Sequence, residues 1–143
     1  MTRKKKHTLL FEQEYDFDMI GLCSHHSDYR LVWGINEVLG LRLTKCDEEY
    51  IVANKKNELI SQHSIYECVD EENRLEYYLI KNKNNNKFLI PEKPSIDYFL
   101  FLVNNIAIEV DDFINKLRKV DSILGIYPFD PEELESTQNL VFN

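Results

Sequence analysis

The sequence predicts an α+β fold in which two helices pack on one face of a mainly antiparallel sheet. A strand-helix-strand pattern occurs twice, at residues 17–45 and 96–129, and a hairpin pattern lies between the two. Hydrophobic residues make up 43% of the 143 residues, which is enough to bury a core. We expect a ferredoxin-like or related split β-α-β arrangement, with residues 1–8 as a flexible basic tail and residues 9–143 as a single domain.

The first strand-helix-strand unit begins with a short apolar strand over residues 17–23. Ser24 or Ser27 can cap the helix that follows, because a serine hydroxyl accepts a backbone N–H at a helix start. Gly40 suits the left-handed conformation that ends many helices, so the helix should end at Leu39. Its apolar stripe, at steps of three and four residues, consists of Tyr29, Val32, Ile35, Val38 and Leu39.

The middle of the chain predicts antiparallel strands. Residues 41–45 should begin a strand, and residues 60–69 and 75–81 form the clearest hairpin, with an acidic turn between them. The asparagine-rich run at 83–87 predicts a second turn, because asparagine tolerates positive φ. A short strand over 88–90 should follow that turn.

Residues 96–103 are the most hydrophobic segment and predict a central strand covered on both faces. Alternation places Asp97 on the face of Phe99 and Phe101, and the opposite face receives Ile96, Tyr98, Leu100 and Leu102. A helix over 109–120 is the expected cover, followed by a strand over 123–129. A helical turn at 131–134 and docking of the apolar residues 140–142 on the sheet complete the predicted fold.

Charge lowers the expectation of a nucleic-acid or membrane protein. The formal net charge is -8, and residues 3–6 hold four of the 17 basic side chains. The rest of the chain therefore has 13 basic against 25 acidic side chains, a net charge of -12, which repels phosphate backbones and anionic lipids. The basic tail is expected to be dispensable for folding.

Cysteine usage and the amino terminus indicate a cytoplasmic protein. Cys23, Cys46 and Cys68 are odd in number and widely spaced, so we expect small buried hydrophobic side chains in a reducing compartment. The amino terminus lacks the apolar segment of a signal peptide, and no stretch is long and apolar enough for a membrane helix.

No catalytic, cofactor or metal site is predicted. Cys23, His25 and His26 lie close together, but no second ligand pair supports a metal or thiol-imidazole site. Phosphate loops, nucleophile elbows and zinc-protease motifs are missing from the sequence. Four sheet aromatics would form a base-stacking platform if they were exposed, but core packing is the favoured interpretation: Tyr77, Tyr78, Phe99 and Phe101.

The segment from Leu89 to Leu100, LIPEKPSIDYFL, resembles the signature of the IPExxxDY family, small bacterial proteins found chiefly in the Bacteroidetes. Stretches near residues 15–21, 28–33, 76–80 and 139–142 are also similar, so the resemblance covers nearly the whole chain. The family name implies three residues between Glu92 and Asp97, where this sequence has four. The resemblance implies a cytoplasmic bacterial protein and brings no activity, substrate or cofactor.

Two functions are weighed. The first is a non-enzymatic protein-binding or adaptor domain, favoured because the sequence is rich in packing residues and has no catalytic motif. The second is a ribosome- or RNA-associated factor that uses residues 3–6 and exposed aromatics. The oligomeric state is left open.

Trp33 is expected to be buried, since large aromatic side chains usually are. Glu92, Asp97 and Tyr98 are expected to organise structure and not to catalyse, Asp97 by accepting loop N–H groups or by pairing with a base such as Arg30. The candidate motif and interaction residues are Pro91, Glu92, Asp97, Tyr98, Trp33 and Arg30.

Overall fold

The chain folds around a six-stranded sheet, and the computed structural model describes residues 15–142. The strands of this sheet are β1 (Phe17–Cys23), β2 (Thr44–Lys45), β5 (Ile65–Asp70), β6 (Leu75–Lys81), β9 (Tyr98–Val103) and β10 (Gly125–Phe129). Their order is β10-β1-β9-β6-β5-β2, and every neighbouring pair is antiparallel. The predicted α+β class with a mainly antiparallel sheet is confirmed.

Two short hairpins lie outside this sheet. β3 (Tyr50–Ala53) pairs with β4 (Leu59–His63), and β7 (Lys83–Asn84) pairs with β8 (Lys87–Phe88). Asn85 and Asn86 join β7 to β8 with φ values of 50° and 62°. Two successive positive φ angles are what a tight two-residue turn requires, so the predicted asparagine turn is confirmed.

The two helices are α1 (Asp28–Leu39) and α2 (Val110–Leu117). The Ser27 hydroxyl accepts a hydrogen bond from the backbone N–H of Arg30, and Gly40 ends α1 with φ 67°. α2 is shorter than the predicted helix. Two 3-10 helices, Pro131–Glu133 and Glu135–Asn139, follow β10.

The main sheet is covered on both faces. The helix-side core joins α1 and α2 to alternate strand residues such as Leu100, and the far-side core includes Phe99 and Phe101. All six residues of β9 are buried, as predicted for a central strand. Burying one large apolar side chain contributes about 1.5–3 kcal/mol, so these two layers supply most of the stability.

The far-side core is closed by the β3–β4 hairpin and by two segments that contain little regular structure. The β3–β4 hairpin supplies Val52, residues 89–96 supply Leu89, Ile90 and Ile96, and the carboxyl-terminal segment supplies Leu134 and Leu140. The predicted docking of the apolar carboxyl-terminal residues is confirmed, since Phe142 also packs against this core.

Several predicted boundaries are wrong. Only Thr44–Lys45 of the predicted strand 41–45 is a strand, because the Asn36 side chain binds the backbone N–H and carbonyl of Leu43 at 2.9 and 3.2 Å. The predicted strand 60–69 is two strands that separate at Ser64. Ile96 joins the far-side core, opposite the face predicted for it, because regular alternation begins only at Tyr98.

The three cysteines are half-buried and free, whereas the sequence suggested buried side chains. The basic tail at 1–8 lies outside the described residues, and the single domain over 9–143 stays a prediction. A ferredoxin-like arrangement also stays a prediction, since β2 to β5 are added between α1 and β6. Within residues 15–142, no helix is long and apolar enough to cross a membrane.

Candidate functional site

The motif loop, residues 89–97, is held in place by Asn82. This side chain is fully buried, and its amide donates hydrogen bonds to the carbonyls of Lys93 and Ile96 at 2.9 and 2.8 Å. Its carbonyl oxygen accepts from the Ile90 backbone N–H at 2.9 Å. Because Asn82 serves three backbone groups of an otherwise irregular loop, it determines the shape of that loop. The sequence prediction missed this residue.

Glu92 joins the motif loop to the carboxyl-terminal segment. Its carboxylate accepts hydrogen bonds from the Ser136 backbone N–H, at 2.9 Å, and from the Ser136 hydroxyl. Partial burial raises the pKa of Glu92, but the hydrogen bonds from Ser136 outweigh it, and the net pKa is below the ordinary value. The neighbouring Pro91 is exposed and contributes to the outer surface of the loop.

Asp97 connects the motif loop to the segment that follows β1. Its carboxylate accepts the Ser24 backbone N–H at 2.9 Å, and the Ser24 hydroxyl in turn accepts the His26 N–H at 3.2 Å. The donor is thus the loop before α1 and not the proline loop that the sequence suggested. Within the described residues no ion pair joins Asp97 to the exposed Arg30, so that predicted partner is wrong.

Tyr98 lies on the helix side of the sheet beneath the start of α1. Burial and the charges of Asp28 and Asp97 raise its pKa to about 12. Tyr66 donates a hydrogen bond to Asp28 at 3.1 Å, and burial together with Asp28 raises its pKa to about 12. Both phenols therefore stay protonated at neutral pH, and the Tyr66 hydroxyl anchors the amino-terminal end of α1 through Asp28.

A cleft of about 800 Å³ opens at this end of the sheet, and we call it the sheet-end cleft. It lies between the loop that leads into α1 and the β7–β8 hairpin. Polar and charged side chains dominate its lining: Ser24, His25, His26, Ser27, Asp28, Lys81, Lys83, Asn84, Asn85, Asn86 and Asp97, with Pro94, Ile96 and Tyr98. The cleft therefore combines motif residues with the two histidines noted in the sequence.

The second candidate surface is the outer side of α1, formed by Tyr29, Arg30 and Trp33, and we call it the α1 surface. Tyr29 is 78% exposed and Trp33 is 61% exposed. The predicted burial of Trp33 is therefore wrong. The buried side of α1 is centred on Leu31 and Ile35, and at 100° per residue Trp33 falls outside it.

The four sheet aromatics that were considered as a stacking platform are all buried, which confirms core packing: Tyr77, Tyr78, Phe99 and Phe101. Within residues 15–142, no group of three or more histidine, cysteine, aspartate or glutamate side chains is arranged to hold a metal ion. His25 and His26 are exposed on the loop before α1.

The chain matches no protein-family model, and no curated protein matches it. The resemblance to the IPExxxDY family stays a prediction.

Proposed function

We propose that this chain is a non-enzymatic protein-binding domain and that the α1 surface contacts its partner. The observation that supports this proposal most strongly is that Trp33 is 61% exposed and that Tyr29, one helical turn away, is 78% exposed. Tryptophan, tyrosine and arginine are the residue types that most often dominate binding energy at protein interfaces. Arg30 is exposed between these two aromatics, so the α1 surface contains all three types.

α1 is held in place by contacts on its other sides, and the α1 surface is not needed to fix the helix. Asn36, on the flank next to Trp33, binds the segment after the helix. On the other flank Gly34 packs closely against Val120, since a Cβ atom at Gly34 would lie 2.9 Å from Val120 Cγ1. The helix is thus fixed by its other sides, and the aromatic side chains can be buried by a partner without repacking the domain.

The motif residues fit this proposal as supports of the structure. The carboxylates of Glu92 and Asp97 accept hydrogen bonds that join the motif loop to distant segments, so each has a structural partner. We expect Glu92→Gln and Asp97→Asn to lower the melting temperature, whereas two variants that melt like the parent and lose the partner would identify the motif as a binding surface.

The alternative is a ribosome- or RNA-associated factor that uses residues 3–6 and exposed aromatics. The aromatic side chains of the sheet are buried and cannot stack on bases. Its remaining basis is the basic run at residues 3–6 together with the exposed Tyr29 and Trp33.

The test begins with affinity capture from the native cell and identification of the captured protein. The purified partner is then titrated by calorimetry against the parent chain and against the double variant Tyr29→Ala/Trp33→Ala. We expect the double variant to bind at least about tenfold more weakly, since interface aromatics often contribute more than 2 kcal/mol each. Its melting temperature should stay close to that of the parent.

A matched control is the double variant Ile51→Ala/Leu59→Ala on the β3–β4 hairpin, where the side chains are 61% and 57% exposed. It removes a similar amount of exposed apolar surface at another place and should bind like the parent. If the control loses affinity and the α1 variant does not, the α1 surface is not the contact. Trp33 should fluoresce like indole in water, and its emission should shift to the blue when the partner binds.

A further inference from the structure

We infer that the sheet-end cleft is a binding site for a phosphate group carried by a small molecule. This inference does not depend on the α1 surface. The cleft has a volume of about 800 Å³, which lies in the range of small-molecule sites. Most of the side chains that line it are polar or charged. Hydrogen bonding and charge therefore decide what it accepts.

Lys81 and Lys83 both line the cleft. Lys81 ends β6, and Lys83 begins β7 two residues later, so their side chains project to the same side of the backbone. Lys81 is opposite Tyr98 in the β6–β9 register, which places it on the helix side beneath the start of α1. Asn82 between them points the other way and is buried in the motif loop.

These ammonium groups have no carboxylate partner in the part of the chain that is described. Neither Lys81 nor Lys83 forms an ion pair among residues 15–142. The one contact of the Lys83 ammonium within these residues is with the Phe88 ring, whose centre lies 5.9 Å from Nζ. Asn85 and Asn86 are exposed beside them, and their side-chain amides form no hydrogen bond within these residues. Donors therefore exceed acceptors on this side of the cleft.

The two carboxylates that line the cleft are already hydrogen-bonded within the chain. Asp28 accepts from the Tyr29 N–H and the Tyr66 hydroxyl, and Asp97 accepts from the Ser24 N–H. An anion in the cleft would therefore be bound by the two lysines, which have no partner within residues 15–142. Two lysines match the double charge of a phosphate group better than the single charge of a carboxylate.

The test is an NMR titration of the full chain with inorganic phosphate at constant ionic strength. We expect saturable shifts at residues 24–27 and 81–86 at pH 8, where inorganic phosphate is mostly doubly charged. The variant Lys81→Gln/Lys83→Gln should bind about tenfold more weakly, because each lost charge-assisted hydrogen bond weakens binding. Acetate, a single-charge anion, should bind about tenfold more weakly than phosphate to the parent chain.

A matched control removes two other exposed lysines, in Lys55→Gln/Lys56→Gln on the β3–β4 turn. This control has the same change in net charge and should bind phosphate like the parent. Asp97→Asn, which keeps an oxygen to accept the Ser24 N–H, should bind phosphate more tightly because a nearby negative charge is removed. The inference is overturned if both lysine pairs reduce binding equally, if the shifts never saturate, or if acetate binds as well as phosphate.

Discussion

His63 is a fully buried titratable residue at the point where the chain passes from the β3–β4 hairpin to the main sheet. Its Nε2 atom lies 2.8 Å from the Ser61 hydroxyl, and Nδ1 has no hydrogen-bond partner. Burial lowers the pKa of His63, and the nearby backbone of Lys81 opposes this shift only in part. The imidazole is therefore neutral in the folded chain at neutral pH.

The first prediction is that His63 makes the domain acid-sensitive. In the unfolded chain its pKa returns to about 6.5, so the unfolded state binds more protons below that pH, and stability falls as the pH drops below 6.5. The loss from this one group is at most about 1.4 kcal/mol per pH unit. Urea unfolding between pH 5 and pH 8 should show a flatter dependence for His63→Gln than for the parent.

His25 provides the comparison for this experiment, since it is exposed and its ring has no structural role. His25→Gln should keep the pH dependence of the parent. If His63→Gln also keeps it, protonation of His63 is not what destabilises the fold in acid.

The second prediction concerns Asn82, the buried residue that shapes the motif loop. Asn82→Ala removes three side-chain hydrogen bonds and leaves buried backbone groups without partners. We expect a loss of about 3 kcal/mol in the free energy of unfolding, measured by urea denaturation. Asn115→Ala, at an exposed position within α2, should cause no loss. Equal stability of the two variants would show that other contacts hold the loop.

Local sequence patterns predicted the elements that depend on local chemistry. The start and end of α1 follow from Ser27 and Gly40, and the tight β7–β8 turn follows from its asparagines. The β3–β4 hairpin was missed, although its turn has a similar signal. Asn54 accepts the backbone N–H groups of Lys56 and Glu58, and Asn57 has φ 61°.

The features that the sequence did not predict depend on contacts between distant residues. Asn82 lies between the predicted strand 75–81 and the predicted turn 83–87, and only the folded loop shows that it binds residues 90–96. Trp33 is exposed because α1 packs on the sheet with the side that contains Leu31 and Ile35, and Trp33 lies outside that side. The sheet-end cleft joins residues 24–28 to residues 81–86 and 94–98, and no local pattern contains that juxtaposition.

The third prediction concerns Gly21 in the central strand β1. A Cβ atom at this position would lie 2.6 Å from Phe129 Cε2 and 3.1 Å from Ile96 Cγ2. Gly21→Ala should therefore push β10 and the motif loop away from β1. Overpacking of this kind lowers the free energy of unfolding by about 1–3 kcal/mol. This loss should exceed the gain from replacing glycine, which is usually less stable than alanine within a strand. A thermal melt that shows equal or higher stability would contradict this packing.

The molecule as a whole depends on closing the far-side core with its carboxyl-terminal segment. Leu140 is buried there, and the ring of Phe142 stacks on Tyr50 and Tyr78 at centroid distances of 5.7 and 4.9 Å. The Tyr50 hydroxyl donates to the Val141 carbonyl and accepts the Val141 N–H, at 3.1 and 2.8 Å. The helix-side core has no contribution from this segment, so the two faces of the sheet are stabilised by different parts of the chain.

The last prediction follows from this division. Leu140→Ala/Phe142→Ala removes one buried and one half-buried apolar side chain, and we expect a loss of about 4 kcal/mol in the free energy of unfolding. The melting temperature should fall by more than about 8 °C for a domain of this size. Val141→Ala is the matched control, because this side chain lies between the two and is 61% exposed. It should melt within about 2 °C of the parent, as surface substitutions usually do. If the double variant melts like this control, the far-side core is closed without the carboxyl-terminal segment.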